Sequence, residues 1–393
     1  FVLACVVPPM LLSVTATGLL RRWAPAWGLV DRPGPRKVHE TVTPMGGGIA
    51  VWFSVVTPLA AVSLIACNLV PGLSLDDLLP AAVATELDLA GLHSRLGLLW
   101  GILGGATLLA IVGLIDDFRN LPWGPRLAVQ GLVAAGLVFG GVRGTLFVPS
   151  PLVGGLATVL WILVLVNAFN FLDNMDGLSP GIALISASLF AIVLLTGTPR
   201  PHWLVAGVLL VLAGALAGFL FHNWPPAKIF LGDAGSYFIG LLLATLTVVG
   251  TFYESGTGST GRHVILAPLF VLAIPLYDFT SVMLIRLKRG QSPFQPDKNH
   301  FSHRLVDLGF SRRNAVLVIH LATLMTGLGG VLLYQVSDWM AALMILALIA
   351  CVLGLVAILE TVGRRVQADR PSDPIPDEPD EPDEPEDGGG QDA

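Results

Sequence analysis

The chain has 393 residues, 54% of them hydrophobic and only 13% charged, with a mean hydropathy of +0.75. A soluble domain carries about 25% charged residues, so this balance excludes a soluble globular protein and points to an all-α protein that crosses a membrane many times. Cys5, Cys67 and Cys351 all sit in apolar runs without paired spacing, so neither a disulfide framework nor a zinc site follows from them.

A helix that crosses the hydrocarbon needs about 20 apolar residues. In chain order, spans are predicted near 1–20, 46–68, 97–115, 127–142, 152–169, 179–196, 203–222, 236–253, 263–285, 314–334 and 340–359, about eleven in all. The first run leads into Arg21 and Arg22 without a small-residue cleavage site and is read as a retained span rather than a signal peptide. The fourth is short, and 335-QVSDW-339 separates the last two. Beyond the transmembrane domain, 1–366, residues 367–393 form a Pro-Asp-Glu-rich tail that buries too little apolar surface to order itself and is expected to be disordered. From Asp369 onward it holds 11 of the 28 acids; without it 21 cations face 17 acids, a charge of +4 against −6 for the whole chain. The acidic balance therefore belongs to the tail.

With an odd number of spans the loops fall into two alternating sets. One holds 18 of the 22 lysines and arginines, the other only Arg95, Arg143, Arg200 and Arg262. Cations favour the inner side, so the first set is expected in the cytoplasm, with the N-terminus outside and the tail inside.

The polar residues gather on that same side. Asp116 and Asp117 end the third span in 111-IVGLIDDFRN-120; Asn170, Asp173 and Asp176 lie in 167-NAFNFLDNMDGLSPG-181, between the fifth and sixth. Asp233 precedes the eighth in 227-AKIFLGDAGSYF-238, Asp278 lies within the ninth, and His300 and His303 lie in the basic loop 286–313. A charged group in lipid costs about 2.5 kcal/mol or more, so acids placed at this depth mark function. Helical spacing puts Asn170, Asp173 and Gly177 on one face, while Asp116 and Asp117 diverge by about 100° and should do different jobs. Carboxylates converging near one membrane surface repel unless cations neutralise them. Hard oxygen donors select Mg²⁺, with Mn²⁺ as its substitute, over zinc, and Mg²⁺ usually takes one or two carboxylates plus substrate phosphates. A phosphorylated ligand follows. Glycines around Asp233 at a helix start let backbone N–H groups approach an anion. The basic loop suits anionic lipid headgroups, and topology already explains its charge without nucleic acid. Asp278 reads equally well as an interhelical hydrogen-bond partner, and His39 as a surface histidine.

Five blocks, 31-DRPGPRKVHETVTPMGGG-48, 115-IDDFRNLPWGPRLAVQ-130, 167-NAFNFLDNMDGL-178, 228-KIFLGDAGS-236 and 290-GQSPFQPDKNHFSHRLVDLGFS-311, are distributed over the chain from about residue 20 to 335. In this order they resemble the polyprenyl-phosphate N-acetylhexosamine-1-phosphate transferases (glycosyltransferase family 4), integral membrane enzymes that start bacterial cell-envelope glycans. The last block looks like the branch of WecA and TagO type, which transfers GlcNAc-1-phosphate; the phospho-N-acetylmuramoyl-pentapeptide branch has adjacent histidines there. Two departures stand out. The branch's His-x-His-His reads 300-HFSH-303, with Ser302 at the middle histidine, and Asn174 stands where many members have glycine. The second is a mild change at a helix end, since Asn tolerates left-handed geometry.

The resemblance implies a Mg²⁺-dependent reaction of a UDP-N-acetylhexosamine with polyprenyl phosphate, releasing UMP, in a cleft on the cytoplasmic face of the plasma (inner) membrane. It implies that Asp233 ligates the metal, that Asp116 deprotonates or orients the acceptor phosphate, and that Asp117 assists with metal or phosphate. Asn170, Asp173 and Asp176 would contact the nucleotide, and Phe230 would stack on uracil. Lys37, His300 and His303 would neutralise the diphosphate or contact the sugar, with Arg304, Lys298 and Lys228 nearby. Expected partners are the UDP-sugar, polyprenyl phosphate and membrane lipids, with no nucleic acid; a homodimer is allowed. A rival from another class, an ion-coupled transporter, requires acids near the bilayer midplane and inverted repeats, and this chain has its acids at one edge and no evident repeat.

Overall fold

The computed structural model describes residues 1–32, 42–67, 69, 89–144, 150–198, 201–250, 262–292 and 300–368. Lys37, His39, Lys298 and the tail from Asp369 onward lie outside them. The architecture is helical: α1 (Val2–Trp23), α2 (Gly47–Ala66), α3 (Leu89–Arg119), α4 (Trp123–Phe139), α5 (Pro151–Leu172), α6 (Leu178–Thr196), α7 (Trp203–Asn223) and α8 (Gly232–Gly250). There follow α9 (Ala267–Val271), α10 (Ala273–Lys288), the short α11 (Phe301–Asp307), α12 (Arg312–Leu333) and α13 (Trp339–Ala368). Among the described residues the strands are β1 (Val30–Asp31) and β2 (Thr43–Pro44), an antiparallel pair with Val30 opposite Pro44.

Among the described residues nine helices are long and apolar enough to cross a membrane, ten if the pair His263–Val271 and Ala273–Lys288 counts as one span. The all-α, many-span class therefore holds; the exact count of eleven is not confirmed. Helix α4, expected over 127–142, has 17 residues, at the lower limit of what crosses the hydrocarbon, and is not among the nine. The ninth span, expected as one helix over 263–285, is bent by 70°. Pro275 explains the bend: it has no N–H for the carbonyl of Val271 four residues earlier, and its ring crowds that carbonyl. Ser186 on α6 donates to the freed Val271 oxygen at 3.2 Å, which is how a membrane bundle tolerates a broken ladder.

Helix α8 runs through the core, with Tyr237, Phe238, Leu241 and Leu242 at most 1% exposed. Several buried hydroxyls along the bundle turn back on their own helices, as Thr245 does to Leu241 and Thr158 to Gly154, which satisfies those donors away from water. Around the start of α8 the neighbours approach through glycine. A Cβ on Gly113 of α3 would lie 2.4 Å from the Asp233 carbonyl oxygen, and one on Gly48 of α2 would lie 2.2 Å from the Gly235 nitrogen. Small residues allow such backbone-to-backbone contact between membrane helices. The segment before α8 is strapped to the start of α2: Gly47 and Gly48 donate to the carbonyls of Phe230 and Leu231 at 2.9 and 2.8 Å, and Phe230 donates to Pro44 at 2.9 Å. These contacts bring the ends of α2, α3 and α8 to one pole of the bundle.

Candidate active site

The site is built around the N-terminus of α8. Its first N–H groups lack partners within the helix, and a carboxylate from another helix supplies one. Asp233 N–H donates to Asp117 Oδ1 at 2.8 Å and Ala234 N–H to Oδ2 at 3.3 Å. The anion expected at this glycine-flanked start is thus the chain's own Asp117. Gly232 has φ +75°, and a Cβ there would come within 2.7 Å of Asp117 Oδ2, so both its backbone and its neighbour favour glycine.

Asp116 points elsewhere. Its Oδ1 accepts from Leu121 N–H at 2.6 Å, while Oδ2 is ion-paired with Arg126 of α4 and accepts from Tyr237 O–H at 3.3 Å. Arg126 also lies 3.8 Å from Asp233 Oδ2, and so stands between two carboxylates. Asn170 Nδ2 donates to Asp233 Oδ1 at 2.6 Å and to Ser236 Oγ at 3.2 Å. The Asp233 side chain is 29% exposed and that of Asp116 only 3%. Of these two acids, Asp233 is the more open to solvent.

The expectation that Asn170, Asp173 and Gly177 share one helix face is corrected. Helix α5 ends at Leu172, Asp173 is its C-cap at φ −80°, ψ 47°, and Gly177 caps α6 at φ 72°. The helix stops because 173–177 form a turn held by side chains: Gly177 N–H donates to Asn223 Oδ1 at 2.9 Å, and Asp176 Oδ2 accepts from Ala227 N–H at 2.9 Å. Asn223 also donates to Ile229 O, tying the turn to the strap before α8. Withdrawal from water, aided by the charge of Asp117, pushes the Asp173 carboxyl up to about 8 despite a hydrogen bond from Gly232. Phe230 is half-buried in that strap and Lys228 exposed.

A second group forms on α10 and α11. Asp278 is fully buried; its Oδ1 accepts from Phe301 N–H at 2.7 Å and its Oδ2 is 2.9 Å from His300 Nδ1. A carboxylate at Nδ1 holds the proton on that nitrogen and leaves Nε2 as the acceptor. Asp278 therefore both caps α11 and orients His300. The His303 ring lies 6.2 Å from that of His300. Arg304 is 3% exposed and donates to Ser281 Oγ at 3.0 Å, joining α11 to α10.

The two groups meet on the last turn of α5. Asn170 bonds Asp233, while the next residue, Phe171, meets the His300 ring edge-on at 5.6 Å and carries the Arg286 guanidinium 5.0 Å above its face. Sequence reading missed Arg126, Tyr237, Phe171 and Arg286, and left Asp278 undecided. Arg126 sits inside a quoted block, yet no spacing links it to Asp233. For Asp278 the signal was present: an acid inside an apolar helix near two histidines.

Among the described residues no three His, Cys, Asp or Glu form a ready metal cage. Mg²⁺ needs only one or two carboxylates when phosphates complete its shell. Asp233 is partly open and adjoins Asp117, so the donor set fits such an ion.

Fold and site define a many-helix membrane protein whose polar chemistry is gathered in one carboxylate-rich cluster at a pole of the bundle. The chain belongs to glycosyl transferase family 4, whose profile matches residues 99–251. It is 31% identical over 348 residues to the probable undecaprenyl-phosphate N-acetylglucosaminyl 1-phosphate transferase of Bacillus subtilis (strain 168), covering 86% of this chain and 87% of the relative. It is 34% identical over 335 residues to the decaprenyl-phosphate N-acetylglucosaminephosphotransferase of Mycobacterium tuberculosis (strain H37Rv), covering 79% and 77%. With the undecaprenyl-phosphate alpha-N-acetylglucosaminyl 1-phosphate transferase of Escherichia coli (strain K12) it shares 29% over 342 residues, 83% of each chain.

Proposed function

We propose that this protein transfers N-acetylglucosamine-1-phosphate from UDP-GlcNAc to a polyprenyl phosphate, releasing UMP, at the cytoplasmic edge of the plasma membrane with its N-terminus outside. The observation that carries the reading is the Asp116–Arg126–Asp233 cluster beside Asp117 at the α8 N-terminus. The names of the relatives support the polyprenyl phosphate acceptor and the N-acetylglucosamine phosphate group transferred.

A phosphate oxygen of the lipid attacks the β-phosphorus of the nucleotide sugar, the bond from that phosphorus to the bridging oxygen breaks, and UMP leaves with the electron pair. Such a reaction needs positioning and charge neutralisation more than covalent help. Asp233, with Asp117 beside it, would hold Mg²⁺, which supplies positive charge to the diphosphate. A phosphate monoester with a second pKa near 6 is already mostly ionised at neutral pH. Asp116, with both oxygens engaged, acts as the anchor of Arg126 rather than as a base. Arg126 then presents its charge to the incoming phosphate. His300, oriented by Asp278, and His303 face the sugar diphosphate; Asn170, Asp173, Asp176 and Phe230 serve the nucleotide.

Purified protein supplied with Mg²⁺, undecaprenyl phosphate and UDP-GlcNAc is expected to release UMP and form a lipid-linked sugar, and to stop when the metal is chelated. Absence of UMP release with every UDP-N-acetylhexosamine tried would overturn the reading.

A further inference from the structure

The two departures from the family pattern touch each other. Ser302, 1% exposed, donates its hydroxyl to Asn174 Oδ1 at 2.7 Å, across 128 residues of chain. Asn174 Nδ2 in turn donates to Phe171 O at 2.7 Å. A carbonyl at one end accepts only from the amide nitrogen, so the amide orientation follows from the network, and its oxygen must face Ser302. The left-handed geometry invoked for Asn174 does not apply: the described non-glycine residue with positive φ is Asn120. Asn174 acts through its side chain.

The link has a definite mechanical place. Helix α11 has only seven residues, Phe301–Asp307, and carries the site histidines at its start. Asp278 and Ser281 tie it back to α10. Ser302 instead ties it across to the turn that bears Asp173 and Asp176, through the residue after Asp173 and back to Phe171, whose ring meets His300. We propose that Ser302 and Asn174 are a paired positioning element that sets the separation between the histidine segment and the nucleotide-side turn, and so the fit of the sugar diphosphate. The proposal rests on the transferase reading above. The contact also makes the two positions interdependent. A histidine with a glycine fills about the same space as a serine with an asparagine, and cores accept volume-conserving exchanges best. A histidine at 302 facing Asn174 is overpacked; a serine facing glycine leaves a gap and an unpartnered hydroxyl.

The test is a double-mutant cycle read two ways, by kcat and KM for UDP-GlcNAc and by thermal unfolding in detergent. Ser302→Ala and Asn174→Gly are each expected to lower kcat/KM by about 10- to 100-fold, as small misplacements near reacting groups do. The double variant should be no worse than either single, because both remove one link. Ser302→Thr, which keeps the hydroxyl, should stay within a few-fold of the parent. Ser302→His should lower activity and the unfolding midpoint, and adding Asn174→Gly should restore both. The proposal is overturned if the single effects multiply, if both singles stay within about twofold of the parent, or if Asn174→Gly fails to rescue Ser302→His in the unfolding midpoint. Lack of turnover in the parent would count against the transferase reading alone, and the unfolding cycle would still decide the pairing.

Discussion

The acid half of the site and the histidine half are held by different means. Around Asp233 the main chain does much of the holding: α8 begins with its N–H groups on the Asp117 carboxylate, and Gly48 and Gly113 bring two other helices against its first turn by backbone-to-backbone contact. Around His300 side chains do most of it, with Asp278, Ser281, Ser302 and Asn174 each spanning a gap between elements. A junction built from backbone contact has no slack for one added carbon, whereas one built from side chains can be exchanged by matched pairs. The same residue type also does different work in each half. Asp117 satisfies a helix end, Asp116 anchors an arginine, Asp233 stays partly open and Asp278 orients an imidazole.

The largest effect should come from the open acid and the anchored cation. Asp233→Asn and Asp116→Asn are each expected to lower UMP release by about 100-fold or more, the scale of losing a group that stabilises developing charge. Near-normal turnover in both would remove the site assignment.

A more pointed test of the contrast uses a single methyl. Gly113→Ala would set its Cβ against the Asp233 carbonyl, so it should destabilise the protein by about 1–3 kcal/mol and depress activity with it. The same change at Gly104 of the same helix, where nothing lies within 4 Å of the added carbon, should leave unfolding midpoint and turnover unchanged. Equal behaviour of the two variants would break the claim that main-chain contact holds the acid half.

A smaller loss is expected on the other side. In Asp278→Asn the amide oxygen can still accept from Phe301, but the NH₂ then faces His300 Nδ1 and favours the opposite tautomer. Turnover should fall about tenfold, on the scale of losing an orienting partner, with the unfolding midpoint little moved. An unaltered pH–rate profile in this variant would argue against an orienting role.

Much of this was legible in the chain before folding. The Asp116–Asp117 pair at a helix end, the glycine-flanked Asp233 and the isolated Asp278 were all anomalies in apolar sequence. Their divergence into separate tasks at Asp116 and Asp117 followed from the helix repeat alone. The shared face assigned to Asn170, Asp173 and Gly177 did not survive, because hydrogen bonds to Asn223 and Ala227 stabilise a turn that periodicity does not register. The bend in the ninth span had a local cause in Pro275, but whether a broken helix is tolerated depended on Ser186 meeting the freed carbonyl.

By itself, then, the amino-acid order determined which stretches prefer lipid, which end of each stretch is polar, and how basic each connecting loop is. Those are local quantities, because transfer into hydrocarbon is charged residue by residue along a single helix. What lay beyond it were the partners: Asp117 with the start of α8 more than a hundred positions away, Arg126 between two acids, Ser302 with Asn174. Contacts of that kind depend on how helix ends converge in space, and glycine-sized gaps rather than sequence spacing decide that convergence.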